Sequence, residues 1–280
     1  MVNYNGKIFD NEDGLSFRNR GLNYGDAVFE TIRVINGRIV FWEDHYFRLM
    51  ASLRIMRMEI PSSFSPEYLE AEILNLVELN QLRDSAARIK FLVFRKEGGY
   101  YSPENRDIGY FVSCSPLEEM FYTSSQGPYE IELFKDHYVN SGLLSTVKTN
   151  NRAINVLGSI FAQENGYRNC LLLNEKKSVI EALNGNIFVI KDDEVKTPPL
   201  SDGCLRGVTR AKVIEILQKI PELKFREESV SAFELQKADE IFITNVILGI
   251  QPVSRYRKKD FGRGIAGNLL GRLNALARLS

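Results

Sequence analysis

Hydrophobic residues recur along the chain with two different spacings, and the spacing changes from one segment to the next. Alternation of apolar and polar residues is typical of strands, whereas apolar residues three and four positions apart are typical of helices. Alternating or continuously apolar stretches predict strands at residues 28–40, 88–94, 169–174, 186–190 and 240–245. Apolar residues at helical spacing predict helices at residues 43–57, 65–80, 154–161, 208–219 and 266–279.

Turn-forming residues separate these elements and suggest how the chain is divided. Asn5-Gly6 and Asn36-Gly37 are typical of tight hairpin turns, so the chain is expected to open with paired strands. Residues 121–128 are rich in small, polar and turn-forming residues, and we place a linker there between domains at 1–120 and 129–280. A chain of 280 residues is long enough for two hydrophobic cores, with a single large barrel as the alternative.

Charge and composition narrow the classes of function. The 36 basic residues balance 36 acidic ones, so no overall field draws the chain to nucleic acid or to an anionic membrane. No apolar stretch has the length of a membrane span, and the N-terminal segment lacks the pattern of a signal peptide, so we expect a cytoplasmic protein. Cys114, Cys170 and Cys204 lie far apart, and only two histidines are present, which predicts free thiols and no metal centre.

Two segments place glycine shortly before a predicted helix, as phosphate-binding loops do. Residues 262–267 fit the pattern G-x-G-x-x-G, but they lie near the C-terminus, outside any strand-helix-strand unit, so we expect only a lead into the last helix. Residues 205–210 place a glycine directly before a predicted helix, where unpaired amides and the helix dipole attract phosphate. An ordinary helix start with Thr209 near the cap is the alternative.

Three charged residues are candidates for a site, although each also has an ordinary explanation. Lys148 lies in a polar segment rich in amides, just before a helix, where most lysines are solvated surface charges. Glu181 is flanked by apolar residues that indicate partial burial, and a buried carboxylate needs a cationic partner. Arg48 follows His45 by one helical turn, and it is either a phosphate anchor or a solvated surface arginine.

Taken together, these segments resemble the class IV aminotransferases, which are the fold type IV enzymes that use pyridoxal 5'-phosphate (PLP). The family includes branched-chain and D-amino acid transaminases and aminodeoxychorismate lyase. The resemblance covers nearly the whole chain, in blocks at residues 20–31, 45–49, 148–152, 181–188, 197–200, 205–210, 238–245 and 251–253. It implies an α/β (α+β) fold with a small N-terminal domain and a larger, barrel-like C-terminal domain, with PLP between them. It also implies a homodimer in which a small-domain loop of one subunit covers the site of the other.

The resemblance further implies roles for individual residues. Lys148 matches the lysine that holds PLP as an imine and moves the substrate α-proton. Glu181 matches the glutamate that pairs with the pyridine nitrogen of PLP. The other implied cofactor contacts are Arg48, Leu205, Val208, Thr209, Asn245 and Val246, and the implied substrate contacts are Tyr24, Phe29, Lys90 and Tyr101.

Several residues depart from the transaminase pattern of the family. Ala153 stands where the transaminases have a tyrosine, and Lys90 stands where branched-chain enzymes have an arginine for the substrate carboxylate. Asn151-Arg152 and Asn245 look more like the lyase branch. We therefore expect a branched-chain-like transaminase that acts on small amines and keto acids. The first alternative is 4-amino-4-deoxychorismate lyase, which gives 4-aminobenzoate and pyruvate, and the second is a PLP-binding dimer without turnover.

Overall fold

The computed structural model describes residues 1–10, 16–124 and 127–279, and within them the chain divides into two compact units. The first unit contains Met1–Phe121, Lys148–Asn151 and the C-terminal residues from Ala277. The second unit contains Tyr122–Val147 and Arg152–Leu276. The predicted linker at 121–128 includes Ser125 and Gln126, which lie outside the described residues.

The first unit is built on an antiparallel sheet covered by two helices. Its elements are β1 (Val2–Tyr4), β2 (Lys7–Phe9), α1 (Arg20–Tyr24), β3 (Ala27–Ile35), β4 (Arg38–Ile39), α2 (Trp42–Ile55), α3 (Pro66–Leu79), β5 (Ala86–Arg95) and β6 (Ile108–Leu117). The strand order is β2-β1-β6-β5-β3-β4. Because neighbouring residues of a strand point to opposite faces, Glu30 and Ile32 of β3 share one face of the sheet, and Phe29 lies on the other. The helices α2 and α3 pack against β3 and β6.

The second unit contains a larger mixed sheet. Its strands are β7 (Glu130–Leu133), β8 (Asn169–Leu173), β9 (Val179–Ala182), β10 (Gly185–Lys191), β11 (Glu194–Thr197), β12 (Lys224–Glu227), β13 (Glu240–Asn245), β14 (Gly249–Pro252), β15 (Arg255–Tyr256) and β16 (Lys259–Asp260). Its helices are α4 (Ala153–Glu164), α5 (Val208–Leu217), α6 (Ala232–Lys237) and α7 (Gly264–Leu279), the last of which ends in the first unit. The strand order is β12-β11-β10-β9-β8-β7-β15-β16, and β13 pairs with β10 and β14. One apolar cluster surrounds Leu171 and Ile187, and another surrounds Cys170 and Leu172, with α4 packed against β8.

This architecture confirms the predicted α/β class and most of the predicted elements. The helices expected at 43–57, 65–80 and 266–279 are α2, α3 and α7, with ends that differ by two residues at most. The sequence pattern does not predict β6, whose serines, glycine and proline weaken the alternation, although pairing with β1 and β5 on its two sides stabilises the strand. No helix among the described residues is both long enough and apolar enough to cross a membrane.

The glycine-rich segment at 262–267 leads into α7, as expected. The amides of Ile265 and Ala266 donate to the two carboxylate oxygens of Glu240, each over 3.0 Å. The carboxylate of Glu240 therefore occupies the place at which a helix N-terminus would bind an external anion. This contact gives the segment a structural role.

Candidate active site

Lys148 lies in a short extended segment that pairs with the beginning of β3. The amide of Phe29 donates to the carbonyl of Lys148 over 2.9 Å, and the amide of Asn150 donates to the carbonyl of Ala27 over 2.9 Å. The half-buried side chain of Lys148 extends over the ring of Phe29, with Nζ 4.4 Å from the ring centre. Main-chain bonds therefore fix the backbone from which this side chain extends, and the aromatic face stabilises its ammonium group.

Arg48 belongs to a buried ionic cluster between β3 and α2. Glu30 Oε1 accepts from Arg48 Nε over 2.8 Å, while Glu30 Oε2 pairs with Arg48 Nη2 and lies 2.7 Å from His45 Nδ1. Burial alone raises the pKa of Glu30, but the Arg48 guanidinium and the His45 hydrogen bond more than offset it and hold this pKa at about 2. Burial lowers the pKa of His45. The ionised Glu30 therefore fixes the orientation of Arg48, the residue predicted to bind phosphate.

We expect Glu30→Gln to lower the free energy of unfolding by about 3 kcal/mol, because a buried guanidinium then lacks its counter-charge. The loss should depend on pH, since the pKa of Glu30 is about 2 in the folded protein and 4.5 ordinarily. A lowered pKa contributes stability that is fully present above pH 4.5 and is lost as the pH falls towards 2. Urea unfolding of both proteins from neutral to acidic pH measures the difference, and a difference that stays constant with pH contradicts this expectation.

Glu181 on β9 and Asn186 on β10 are paired across a tight hairpin. Glu181 is 7% exposed, and its Oε2 accepts from the amide of Leu205 over 2.8 Å. Asn186 Nδ2 donates to the carbonyl of the same Leu205 over 2.9 Å. A Cβ at Gly207 would lie 2.0 Å from Asn186 Oδ1, which explains the glycine at that position. Two side chains of one hairpin thus fix the loop that leads into α5.

The N-terminus of α5 has the features of an anion site. Gly207 is the N-cap residue, so no side chain of the cap bonds the first amides of the helix. Among the described residues, the buried hydroxyl of Thr209 has no hydrogen-bond partner, and the same holds for Thr244 on β13, the strand against which α5 packs. Thr244 is also the cross-strand partner of Asn186. A phosphate fits here because its oxygens accept from amides and hydroxyls at the positive end of the helix dipole.

The other predicted cofactor residues of the second unit lie on or beside these elements. Leu205 is half-buried, and Val208 and Thr209 form the first turn of α5. Asn245 ends β13, where its Oδ1 accepts from the amides two and three residues further along the chain, over 3.0 and 2.8 Å. The carbonyl of Val246 accepts from a buried tyrosine hydroxyl over 3.2 Å. Asn245 therefore stabilises its own turn, and its role towards a cofactor stays a prediction.

The face of the first sheet that carries Phe29 is lined with hydrogen-bond donors. The cross-strand register places polar residues in two adjacent rows that each cross β3, β5 and β6. These residues are Thr31, Lys90 and Ser113 in one row and Arg33, Arg88 and Ser115 in the other. All of them can donate a hydrogen bond, and none is a carboxylate. Lys90 Nζ lies 5.6 Å from the centre of the Phe29 ring, the same ring over which Lys148 Nζ lies. The donor-lined rows therefore start beside Lys148.

Tyr24 and Tyr101, two of the predicted substrate residues, contact each other at the surface of the first unit. Their ring centres are 5.7 Å apart, and the rings are tilted by 54°. Tyr101 is 91% exposed and Tyr24 is 38% exposed. The guanidinium of Arg20 lies 5.0 Å from the centre of the Tyr24 ring. The two tyrosines form an aromatic pair, and their contact with a substrate stays a prediction.

The predicted residues fall into two groups, one in each unit. The first unit holds Lys148, Arg48 and the predicted substrate residues, and the second holds Glu181 with the remaining predicted cofactor residues. Glu30 and Asn186 received no role from the sequence, yet they fix Arg48 and the loop before α5. Both are polar residues within otherwise largely apolar strands, and this contrast is the signal that could have identified them.

Comparison with known proteins gives consistent matches over most of the chain. Residues 27–256 match the family model described as Amino-transferase class IV. A Methanocaldococcus jannaschii protein named as a branched-chain-amino-acid aminotransferase is 32% identical over 253 residues, which cover 89% of this chain and 85% of that protein. The aminodeoxychorismate lyase of Vibrio harveyi is 29% identical over 263 residues, which cover 91% and 94%. A solved structure of the T.th. branched-chain amino acid aminotransferase, complexed with N-(5'-phosphopyridoxyl)-L-glutamate, matches with a TM-score of 0.86 and 25% identity, covering 100% of this chain and 94% of that one.

Proposed function

The chain belongs to the class IV aminotransferases, and from this premise we propose that it is a PLP-dependent transaminase of amino acids with branched-chain-like substrates. The observation that carries the proposal is Lys148, which main-chain bonds hold over Phe29 at the edge of the donor-lined sheet face. A primary amine in a fixed position supports chemistry on substrate amines. A face that offers donors and no carboxylate suits the acid group of an amino acid.

Each group of residues has a distinct task in this proposal. Bound PLP supplies an aldehyde for the amine and a ring that accepts electrons. Lys148 binds the cofactor through Nζ and moves the proton at the substrate α-carbon. Glu181 keeps the pyridine nitrogen protonated, and its bond to the amide of Leu205 fixes the carboxylate. Arg48 and the N-terminus of α5 hold the phosphate, so that binding energy orients the reacting carbon.

Lys90 is proposed to bind the substrate carboxylate. It lies on the same sheet face as Phe29, and the adjacent strand residues Thr31 and Ser113 supply hydroxyl donors in its row. An ammonium is a point charge that lacks the two-pronged geometry of a guanidinium. We therefore propose slow transamination with a broad range of amino acids.

Aminodeoxychorismate lyase activity is the second candidate function. It is supported by Ala153, which begins α4 at the position of the transaminase tyrosine, and by the similarity to the Vibrio harveyi lyase. Both reactions need Lys148 to remove the α-proton. A transaminase must also return that proton and then accept a second acid substrate, whereas the lyase eliminates a leaving group across the adjacent bond. A PLP-binding dimer without turnover is a remote third candidate, and the presence of Lys148, Glu181 and Arg48 argues against it.

A single-turnover experiment separates these functions. The enzyme is mixed with L-leucine, L-glutamate or D-alanine, and the absorbance change from the aldehyde to the amine form of the cofactor is followed. We expect conversion within seconds for at least one donor, which is slower than the median enzyme turnover of about 10 s⁻¹. Lys90→Gln should raise the donor concentration needed for half-maximal conversion by about 10-fold or more, because it removes the proposed carboxylate charge. No conversion with any donor, together with release of 4-aminobenzoate from aminodeoxychorismate, would establish the lyase instead.

A homodimer in the cytoplasm is the proposed working form. The helix α4 exposes Val156, Leu157 and Ile160, and Leu143 and Leu144 are exposed in the same unit, so an apolar surface is available for a second copy. In the proposed dimer, an exposed small-domain loop that carries Tyr101 covers the site of the partner. The three cysteines are free thiols, which suits a reducing compartment. Sedimentation velocity of the PLP-loaded enzyme tests the dimer, and a monomer at micromolar concentration contradicts it.

A further inference from the structure

Arg20, the first residue of α1, binds three consecutive carbonyl groups of a distant loop. Its Nη1 donates to the carbonyl oxygens of Gly98, Gly99 and Tyr100 over 3.1, 3.1 and 2.6 Å. The side chain of Arg20 is 4% exposed. A buried cation that faces main-chain carbonyls makes strong charge-assisted hydrogen bonds. These bonds attach residues 98–100 to the interior of the first unit.

The other side of the Arg20 guanidinium is fixed by Asp26. Asp26 Oδ2 accepts from Arg20 Nε over 2.9 Å and from Arg95 Nε over 2.9 Å. Arg95 in turn donates to the carbonyls of Met56 and Arg57 over 2.7 and 3.1 Å. Asp26 is therefore shared by two buried guanidinium groups, of which only Arg20 reaches the loop. The cluster of Arg20, Asp26 and Arg95 supports the loop. It is held rigidly because it joins α1, β5 and the end of α2.

The conformation of the loop requires such support. Gly98 and Gly99 have φ angles of +121° and +70°, in the region that residues with side chains rarely adopt. A Cβ at Gly99 would lie 2.1 Å from the carbonyl oxygen of Ser102. Glycines make the turn possible, but they also give the unfolded loop more conformational freedom. The three bonds from Arg20 oppose that freedom.

Arg20 also contacts the aromatic pair formed by Tyr24 and Tyr101. Its guanidinium lies 5.0 Å from the centre of the Tyr24 ring, and that ring lies 5.7 Å from the ring of Tyr101. Tyr101 directly follows the three carbonyls that Arg20 binds. One buried side chain thus contacts both of the elements that carry these tyrosines. Displacement of Arg20 would move the two rings relative to each other.

We propose that Arg20 is a positioning residue that fixes the loop at 98–101 and thereby sets the aromatic pair Tyr24–Tyr101 as a wall for the substrate side chain in the site that this loop covers, which is the partner's site in the proposed dimer. The proposal rests on the proposed transaminase function. Two rings in contact offer an apolar surface that favours branched or aromatic side chains over a methyl group. Arg20 itself touches neither substrate nor cofactor. It acts on specificity through the geometry of the two tyrosines.

Chymotrypsin cleavage of the PLP-loaded enzyme tests the first half of the proposal. Chymotrypsin cleaves after tyrosine, and the side chains of Tyr100 and Tyr101 are exposed. The protease must also bind the main chain around them in an extended form, which requires the loop to open and its carbonyls to leave Arg20. We expect Arg20→Met to speed cleavage at these residues by about 10-fold or more, since three charge-assisted bonds are lost. Arg95→Met is the matched control, because it removes the other guanidinium from Asp26 and leaves the loop carbonyls bonded. Equal cleavage rates in the two variants would overturn the proposal.

Steady-state kinetics with L-leucine and L-alanine test the second half. We expect Arg20→Met to raise the KM for leucine by about 10-fold while kcat and the KM for alanine change by less than about 3-fold. Arg20→Lys should restore most of the leucine KM, because an ammonium can still donate to the carbonyls. A uniform loss of activity in Arg20→Met and Arg95→Met alike would mark Arg20 as a purely structural residue and overturn the proposal.

A third variant separates this proposal from the proposed function. Tyr101→Ala should raise the leucine KM as much as Arg20→Met does, and the double variant should show no further increase. An additive increase in the double variant would overturn the link between Arg20 and the aromatic pair. If neither amino acid is a substrate, the transaminase function fails, and with it the proposed effect on specificity. The cleavage rates would then still decide whether Arg20 fixes the loop.

Discussion

Lys148→Ala is expected to abolish turnover and to remove the visible absorbance of the lysine-bound cofactor, while the variant keeps its fold. The expected loss in kcat is at least about 10³-fold, because the same amine binds the cofactor and transfers the proton. The fold should persist because the segment is held by main-chain bonds, such as that from the amide of Phe29 to the carbonyl of Lys148, which the substitution leaves in place. Absorbance spectra, circular dichroism and single-turnover rates of the purified variant measure these effects.

Two further variants make the Lys148 experiment specific. Lys148→Arg keeps a cation near the Phe29 ring, but a guanidinium remains protonated and cannot form the bond to the aldehyde, so the visible band should also be absent. Lys90→Ala removes the other ammonium near that ring and should retain the band. An unchanged band in Lys148→Ala, or a lost band in Lys90→Ala alone, would place the reactive amine elsewhere.

The hydrophobic pattern of the sequence predicts the long elements well because each of them buries one face. The helices α2, α3 and α7 and the strands β3, β5 and β13 have apolar residues at the spacing that burial on one or both faces requires. The pattern does not predict α6, because a helix of six residues is too short to show a helical repeat of apolar positions. The pattern also does not predict the pairing of residues 148–151 with β3. These residues are polar and pair through main-chain hydrogen bonds, which a hydrophobic pattern does not reveal.

The candidate site is less accessible to the hydrophobic pattern than the fold. Side-chain type alone marks Lys148, Glu181 and Arg48 only as candidates, and their roles come from the resemblance to the family and stay predictions. The contacts of Arg20 could not be predicted, because carbonyl groups are present at every residue and leave no mark in the sequence. The cluster of Glu30 with His45 and Arg48 requires the register of α2 on β3, which a one-dimensional pattern does not contain.

The charge of Glu181 can be removed with little change in the structure around it. Glu181 Oε2 accepts from the amide of Leu205 over 2.8 Å, and the amide oxygen of a glutamine can accept the same bond. Asn186 holds the carbonyl of Leu205 independently. Glu181→Gln should therefore preserve the conformation of the loop before α5 and remove only the negative charge of the side chain. Asn186→Ala is the matched control, since it removes the other side-chain bond to Leu205 and leaves the carboxylate in place.

We expect Glu181→Gln to retain PLP and to lose about 10²-fold or more in kcat, because a neutral amide no longer stabilises the positive charge on the pyridine nitrogen. The loss should fall on proton removal by Lys148, so a donor deuterated at the α-carbon should show a larger isotope effect in the variant than in the parent. Asn186→Ala should change kcat by less than about 10-fold and should mainly weaken PLP retention, because it loosens the loop that leads to the proposed phosphate site. Equal losses of kcat in the two variants would assign the effect to the loop, and parental turnover in Glu181→Gln would remove Glu181 from the mechanism.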